Sequence, residues 1–193
     1  MYTETIIELL GRLEAGDPKA ASELFGELYG ELRSRAHRLL SDGTPHTLQA
    51  TALVHEAWIR LQSDGVGTPS GRAHFLALAA RAMRSVLVDH ARARSAIKRG
   101  GGVRPAPLDE ALAVFSKRVP DLLDLNEKLE ELSELDERLA RVVELRFFGG
   151  LSIDETAGVL GVGSATVERD WTAARAYLAA RLDGESEGAK EMR

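Results

Sequence analysis

Residues 151–171 read LSIDETAGVLGVGSATVERDW and contain the signals that decide the fold. Ser152 followed three residues later by Glu155 is the pattern of a capping box, in which two side chains bind the free amides at a helix start. Gly161 lies where a tight turn between helices requires a positive φ. Ser164 is suited to cap the helix that follows. The stretch therefore predicts two helices joined by a glycine turn.

The apolar positions of the same stretch predict how these two helices pack. Ile153, Ala157 and Leu160 recur along one side of the first helix, and Val167 and Trp171 face inward from the second. The small side chain of Ala157 permits the helices to cross closely. These are the requirements of a helix-turn-helix, whose second helix enters the major groove of DNA. An ordinary hairpin of two helices is the alternative interpretation.

The second helix of this motif presents candidates for DNA contact. They are Gly163, Ser164, Ala165, Glu168, Arg169, Thr172 and Arg175. Arg169 can pair bidentately with guanine, and Glu168 can accept a hydrogen bond from the amine of cytosine. Ser164 and Arg175 are suited to phosphate contacts. Because Glu168 and Asp170 flank Arg169 with negative charge, the helix is expected to bind DNA weakly by itself.

Composition excludes several classes of protein. The 193 residues suffice for one domain or two small ones, and an apolar fraction of 44% is ordinary for a folded chain. The absence of cysteine excludes a disulfide scaffold, a cysteine nucleophile and a thiolate zinc site. Residues 1–17 lack the features of a signal peptide, and no apolar run approaches the roughly 20 residues that span a bilayer. We expect a cytoplasmic protein.

Apolar periodicity predicts an all-α chain of two small helical domains joined by a flexible linker. Gly100–Gly102 ends the first domain, and the linker after it contains prolines and one short predicted helix near Leu108–Val114. The expected segments are a first domain at 1–98, a linker at 99–121, a second domain at 122–183 and a polar tail at 184–193.

The net charge of −5 conceals an uneven distribution. Eight basic residues lie between positions 72 and 104, opposed only by Asp89, whereas residues 121–137 are rich in carboxylates. The predicted helix at 72–99 therefore combines an apolar stripe with a cationic face, which suits the DNA backbone. A membrane surface and a solvated charged face are the alternatives. The acidic run is interpreted as a solvated face opposite a leucine stripe.

Three phrases resemble one subgroup of the extracytoplasmic-function (ECF) sigma factors of bacterial RNA polymerase. They are HTLQATALVHEAWIRL (46–61), RAHFLALAARAMRSVLVDHARARSAIKRGGG (72–102) and ATVERDWTAARAYL (165–178). The order of elements resembles that family over nearly the whole chain, with region 2 at about 15–98 and region 4 at about 122–183. The resemblance implies a non-enzymatic initiation factor that binds core polymerase and promoter DNA.

The resemblance also assigns roles to residues of the first domain. The residues implied to dock on the clamp helices of the β′ subunit are Leu53, His55, Glu56 and Trp58. The loop Ser63–Gly71 would capture an unstacked base of the −10 element, since single-stranded bases are bound in pockets while cations track the phosphates. The residues implied to hold the adjacent backbone are Arg72, His74, Arg81 and Arg84.

Further partners follow from the same resemblance. The helix-turn-helix would bind the −35 element as duplex, and the flap of the β subunit would be a second contact on the polymerase. The resemblance admits an anti-sigma factor as a regulator and implies neither a cofactor nor membrane insertion.

Other chemistry has little support in the sequence. His55-Glu56 begins like a zinc-protease motif, but residue 59 is isoleucine where that motif requires histidine. We therefore expect no metal site, no cofactor and no enzyme activity. Two other classes of protein remain open. One is a stand-alone helix-turn-helix repressor or activator, which would usually dimerise on a palindrome. The other is a helical interaction module.

Overall fold

The computed structural model describes residues 2–40, 47–64, 69–98 and 119–191. These residues form eight α-helices and one π-helical segment, with no strand among them, which confirms the all-α prediction. The short helix predicted near Leu108–Val114 lies outside the described residues. The α-helices are α1 (Tyr2–Glu14), α2 (Ala20–Leu40), α3 (Thr47–Asp64), α4 (Arg72–Lys98), α5 (Val119–Leu135), α6 (Glu137–Val143), α7 (Ile153–Leu160) and α8 (Ser164–Glu191).

By packing, the chain divides into two compact units. The first comprises Met1–Leu87 with Phe148–Gly150, and the second comprises Val88–Phe147 with Leu151–Arg193. Helix α4 contributes to both units. The two units therefore have other boundaries than the domains expected at 1–98 and 122–183. Those domain boundaries stay predictions.

The core of the first unit follows from the apolar repeat of α2. Leu24, Leu28 and Leu32 recur every four residues and are at most 3% exposed, so one face of the helix is buried against its neighbours. Helix α2 packs against both α1 and α3. Helix α4 adds Phe75 and Leu76, both fully buried. Each such side chain contributes about 1.5–3 kcal/mol through burial.

Arg12 links α1 to the start of α2. Its guanidinium donates to the carboxylates of Asp17 and Glu23, each at 2.6 Å. The bond from Arg12 lowers the pKa of Glu23. The Lys19 backbone amide, followed by Arg12, lowers the pKa of Asp17. Because these side chains are well exposed to solvent, the pairs stabilise the fold only slightly.

The second unit contains a helix break that the sequence did not reveal. The apolar repeat at 125–143 predicts one uninterrupted pattern, but α5 ends at Leu135 and α6 begins at Glu137. Asp136 separates them, because its side chain accepts hydrogen bonds from the backbone amides of Arg138 and Leu139 and so caps α6. The leucine spacing continues across the break and hides it.

A π-helical segment, Glu144–Phe148, continues from α6 toward the helix-turn-helix. Phe148 is 2% exposed, whereas Phe147 is 50% exposed. The segment therefore directs adjacent phenylalanines to opposite environments. π-Turns are rare and are often found at functional sites.

Part of the acidic run is neutralised within the second unit. The Glu131 carboxylate accepts hydrogen bonds from Lys128 at 2.9 Å and Arg181 at 3.3 Å, and the Lys128 bond lowers the pKa of Glu131. Glu144 is buried and pairs with Arg141 at 3.2 Å. Glu131 therefore joins α5 to α8 and does not simply face solvent, whereas the Glu144 pair is local to one helical stretch.

Candidate functional site

The start of the helix-turn-helix has the predicted capping box. The Glu155 amide donates to Ser152 Oγ at 3.1 Å, and the Ser152 amide donates to Glu155 Oε2 at 2.8 Å. Helix α7 ends at Leu160 and is capped by Gly161, whose φ is 67°. The Val162 amide then donates to the Ala157 carbonyl at 3.1 Å, which closes the turn. Both local predictions are confirmed.

The motif packs around a small apolar core. Val142, Ala157 and Val167 are buried at its centre. The partly buried residues around them are Ile153, Leu160, Val162 and Trp171. The inward-facing residues predicted from spacing are confirmed, and the structure adds Val142 of α6. This core holds α8 at a defined angle to α7.

Substitution of Gly161 tests the turn. Gly161→Val is expected to destabilise the protein by about 1–2 kcal/mol, because a residue with Cβ is strained at positive φ. No atom lies within 4 Å of the added Cβ, so the cost comes from the backbone. Urea unfolding measures the change in free energy.

Gly158 is the matched control in the same helix. It is exposed in α7, and an added methyl group would have equally open space around it. Gly158→Ala is expected to stabilise the protein by up to about 1 kcal/mol, since alanine is the better helix former. Changes of the same sign in both variants would contradict the role of backbone conformation at Gly161.

The predicted cap role of Ser164 is wrong. Amides of Thr166 and Val167 donate to the Gly163 carbonyl at 2.9 and 3.2 Å, so Gly163 occupies the cap position of α8. The Ser164 hydroxyl instead donates to Asp154 Oδ1 at 2.6 Å. Because Asp154 belongs to α7, this bond ties the two helices of the motif together.

The N-terminal part of α8 presents a continuous exposed face. Of the candidate DNA-contacting residues, Ser164 is half-buried, and the exposed ones are Gly163, Ala165, Glu168, Arg169, Thr172 and Arg175. The Arg169 guanidinium lies along its own helix, with contacts of 3.3 Å to the Ala165 carbonyl and the Thr166 hydroxyl. Both bonds are long, so little energy opposes turning the side chain toward a ligand.

Asp170 does not flank this face, contrary to the expectation from sequence. It is 8% exposed and accepts a hydrogen bond from Arg138 Nε at 2.6 Å. That bond raises the pKa of the Arg138 guanidinium. The aspartate therefore anchors α8 to α6, and the exposed face keeps Glu168 as the acidic neighbour of Arg169.

Two guanidinium groups lie close to the Trp171 ring. The Arg146 and Arg175 guanidinium carbons are 5.1 and 5.7 Å from the centre of its ring, within the range of cation–π attraction. The contact orients Arg175, one of the residues predicted to touch phosphate. Arg175 is thereby held beside an apolar cavity.

This cavity, called the apolar groove below, has a volume of about 730 Å³ and lies within the second unit. Its lining residues are Leu125, Val143, Phe147, Trp171, Thr172, Arg175, Ala176, Leu178, Ala179 and Leu182. Sequence reasoning missed the groove. The available signal was the continuation of apolar residues along α8 beyond the helix-turn-helix, with Phe147 next to Phe148.

The candidate polymerase-contacting residues lie on α3, with different exposures. His55 and Glu56 are exposed, whereas Leu53 is 1% exposed and faces the core. Trp58 is half-buried and stacks on Phe25 of α2, with ring centres 4.4 Å apart. A partner can therefore reach His55 and Glu56 directly, whereas Leu53 is enclosed in the core.

Two further residues belong to this surface and were missed by sequence reasoning. Ile59 is 56% exposed one helical turn from His55 and Glu56. Tyr29 of α2 lies beside His55, with ring centres 5.7 Å apart. The signal available in the sequence for Ile59 was an isoleucine on the polar side of an amphipathic helix.

The four candidate −10 residues do not share one side of α4. At 100° per residue, His74, Arg81 and Arg84 lie within one sector of the helix, and Arg72 lies opposite Arg81. Arg81 is exposed, and Arg84 lies over the Phe148 ring at 5.8 Å. His74 Nδ1 accepts a hydrogen bond from the Ser70 amide at 3.1 Å.

Arg72 is directed toward α2. Its Nη2 donates to both carboxylate oxygens of Glu31, at 2.6 and 2.7 Å. The predicted loop Ser63–Gly71 ends directly before this residue, and its positions 65–68 lie outside the described residues. The structure therefore ties the end of the loop to α2.

Neither a metal-binding cluster nor a membrane-spanning helix is found in the described part of the chain. Within it, no group of histidine, aspartate or glutamate side chains is arranged to hold a metal ion. None of the helices there is both long enough and apolar enough to cross a membrane.

Comparison with known families decides the classification. A family model described as ECF sigma factor matches residues 3–184. The chain belongs to the ECF sigma factor family. ECF sigma factors are non-enzymatic DNA-binding regulators of transcription, so this sigma factor acts in transcription initiation and is not an enzyme. Searches of curated proteins and of solved structures returned no match.

The partners of an ECF sigma factor are core RNA polymerase and promoter DNA, often with an anti-sigma factor. Membership of the family removes the stand-alone repressor and the incidental helix-turn-helix as leading interpretations of this sigma factor.

Proposed function

We propose that this sigma factor binds core RNA polymerase through α3 and the apolar groove, and selects promoters through α8 and α4. The observation that carries the proposal is the exposed N-terminal face of α8, which begins immediately after a capped helix and a glycine turn. A helix presented in this way fits the major groove, which is about 12 Å wide.

Arg169 is the proposed reader of the −35 element. Its guanidinium has five donors in a planar fork and can pair with both acceptors of guanine. The long bonds that hold it along α8 are easily exchanged for such a pair. Glu168 can accept from a cytosine amine beside it and would repel a phosphate placed there.

The −10 element is proposed to bind the first unit, at the start of α4. Arg81 and Arg84, with His74, supply a sector from which cations and a ring can track a single strand. The loop Ser63–Gly71 is proposed to capture one unstacked base. The bond between the His74 ring and the Ser70 amide supports this assignment, because it would fix the end of that loop.

The clamp helices of β′ are proposed to bind α3. Glu56 supplies a charge, His55 supplies a polar ring, and Ile59 adds an exposed apolar contact. Stacking of Trp58 on Phe25 supports the surface by fixing α3 against α2. Contact surfaces of this kind combine an apolar anchor with polar groups around it.

The flap of β is proposed to occupy the apolar groove. Amphipathic helices bind such grooves through apolar side chains spaced one turn apart. Phe147 supports the assignment because it is half exposed at the groove. The guanidinium of Arg175 would remain at the edge, where it is also near the DNA-facing side of α8.

Two weak DNA contacts in one chain suit an acidic protein. When the chain is bound to polymerase and one DNA contact has formed, the second forms at a high effective concentration and needs little affinity of its own. The net charge of −5 then serves to reduce binding to DNA away from the polymerase. This interpretation places the site of action in the cytoplasm, with an anti-sigma factor as a regulator.

Titration with core RNA polymerase tests the proposal. The purified protein is expected to bind bacterial core enzyme saturably, measured by fluorescence anisotropy. Glu56→Lys is expected to weaken binding by at least about tenfold, because a reversed charge meets a surface that complements the carboxylate. Glu56 is exposed, so the substitution leaves the fold intact.

Glu8→Lys is the matched control for this titration. Glu8 is exposed on α1 and lies outside the proposed surfaces, so the same change in net charge should leave the affinity within about twofold. Equal weakening by both variants would assign the effect to net charge. Absence of binding to core, with tight binding of a dimer to duplex DNA, would replace the proposal by the repressor interpretation.

A further inference from the structure

Glu31 of α2 is a carboxylate that joins two helices and has no role in the proposal above. It accepts two bonds from Arg72 at 2.6 and 2.7 Å, and a further bond from Arg35 of its own helix. The Glu31 side chain is 28% exposed, and that of Arg72 is 40% exposed. The charged pair is therefore partly shielded from solvent. Charge-assisted hydrogen bonds are stronger in such a shielded site than on an open surface.

The pair joins the start of α4 to α2 because of where Arg72 lies. Arg72 is the first residue of α4 and directly follows the segment Pro69–Gly71. The Glu31 carboxylate lies 41 residues earlier in the chain. A bond over that separation fixes the start of α4, and with it the end of the preceding loop, to the rigid helix α2.

The pair also decides where the Arg72 guanidinium is directed. In the sequence, Arg72 is one of four candidates for the −10 backbone, but in the structure it lies opposite Arg81 on the helix and against α2. Both carboxylate oxygens accept from the same nitrogen, Nη2, so the contact is centred on that end of the guanidinium. The contact with Glu31 therefore restrains this side chain on the side of α4 that faces α2.

We propose that Glu31 is a positioning residue for promoter opening, which acts through Arg72 to hold Pro69–Gly71 and the start of α4, where the −10 element is proposed to bind. The inference rests on the proposed function, since it assumes that the −10 element binds at the start of α4. Glu31 itself touches no DNA. Its loss would leave Pro69–Gly71 and the start of α4 less restrained, and each nonproductive position of these residues lowers the rate at which a base is captured.

Arg35 makes a conservative variant necessary. Its side chain is 5% exposed, and Glu31 is the partner that the described residues provide, with Arg35 Nε and Nη1 lacking one. Removal of the negative charge would leave a buried guanidinium uncompensated, which destabilises the fold. Glu31→Asp keeps a negative charge near Arg35 and shortens the side chain by one methylene, which weakens the contact with Arg72, so both Glu31→Gln and Glu31→Asp are tested.

The experiment measures open-complex formation by holoenzyme made with each full-length variant. The DNA is a promoter selected from genomic fragments by the wild-type holoenzyme, and opening is followed by fluorescence of 2-aminopurine in the −10 element. Glu31→Gln and Glu31→Asp are expected to slow opening by about tenfold. Affinity for core polymerase and affinity for the −35 duplex should remain within about twofold of wild type.

A double-mutant cycle separates positioning from a structural role. If Glu31 acts through Arg72, the variant with both Glu31→Gln and Arg72→Gln opens the promoter no more slowly than Arg72→Gln alone. Additive slowing would overturn the proposal, because it would show that the two residues act independently. Thermal unfolding of each variant identifies any loss of folded protein, and Glu31→Asp decides the outcome if Glu31→Gln does not fold.

Glu23 supplies the matched control. It lies on the same helix and also receives an arginine from another helix, at 2.6 Å from Arg12, but far along α2 from Arg72. Glu23→Gln is expected to leave the opening rate unchanged. Equal rates for Glu23→Gln and Glu31→Gln would overturn the inference. Failure of the wild-type protein to bind core or to open any promoter would instead overturn the proposed function.

Discussion

Arg169→Ala is expected to reduce transcription from a promoter with an intact −35 element by about tenfold to a hundredfold. A bidentate pair with guanine contributes about 1–3 kcal/mol of discrimination, and Arg169 is the exposed arginine nearest the start of α8. Affinity for core polymerase should not change. Run-off transcription with reconstituted holoenzyme measures the first quantity, and anisotropy measures the second.

The same variant should lose sequence discrimination as well as activity. Each −35 base pair is replaced in turn. We expect one position at which the wild-type protein distinguishes the bases and Arg169→Ala does not. Uniform weakening at every position would indicate a phosphate contact for Arg169. Loss of core binding together with promoter activity would contradict the division of labour between α8 and α3.

Arg181→Ala is the control on the same helix. It removes the same charge, but Arg181 faces α5 and pairs with Glu131 at 3.3 Å. The exposed pair contributes at most about 1 kcal/mol to stability, so −35 recognition should persist. A comparable loss of transcription in Arg181→Ala would mean that overall charge on α8, and not a specific base contact, drives the binding.

Leu53→Ala is expected to cost about 2–5 kcal/mol of unfolding free energy, the largest effect on stability predicted here. Leu53 is 1% exposed, and the truncation leaves a cavity beneath α3. Its effect on polymerase binding should disappear once the measurement is corrected for the folded fraction. Denaturant unfolding and core titration of the same sample provide the two quantities.

Ile59→Ala should behave in the opposite way. Ile59 lies on the same helix but is 56% exposed, so unfolding free energy should change by no more than about 0.5 kcal/mol. Core affinity should fall about fivefold, as expected for an apolar anchor at an interface. If Leu53→Ala weakened binding by the folded protein and Ile59→Ala did not, the surface assigned to α3 would be wrong.

Local signals explain why the helix-turn-helix was predictable. The capping box of Ser152 and Glu155 and the glycine turn at Gly161 depend on residues within a few positions of one another. The spacing of Ala157 and Val167 then specified the faces that meet. The residues of each interaction are close together in the sequence, so the interaction can be predicted from a short stretch of chain.

Other features involve partners far apart in the chain, and sequence reasoning missed them. Asp170 was expected to face DNA beside Arg169, but Arg138, 32 residues earlier, draws it inward. The family resemblance implies that Arg72 holds the −10 backbone, and only the structure shows its contact with Glu31, 41 residues earlier. The charge of a residue does not reveal which oppositely charged residue will lie beside it in the folded chain.

The sequence by itself determined the all-α class, the helix-turn-helix and the family to which the chain belongs, because periodicity, caps and long matching phrases are properties of contiguous residues. The tertiary structure alone decided which charged residues remain exposed and where an apolar groove opens. Those properties depend on how separate helices approach each other. Burial and ion pairing are consequences of that approach, and no local pattern encodes them.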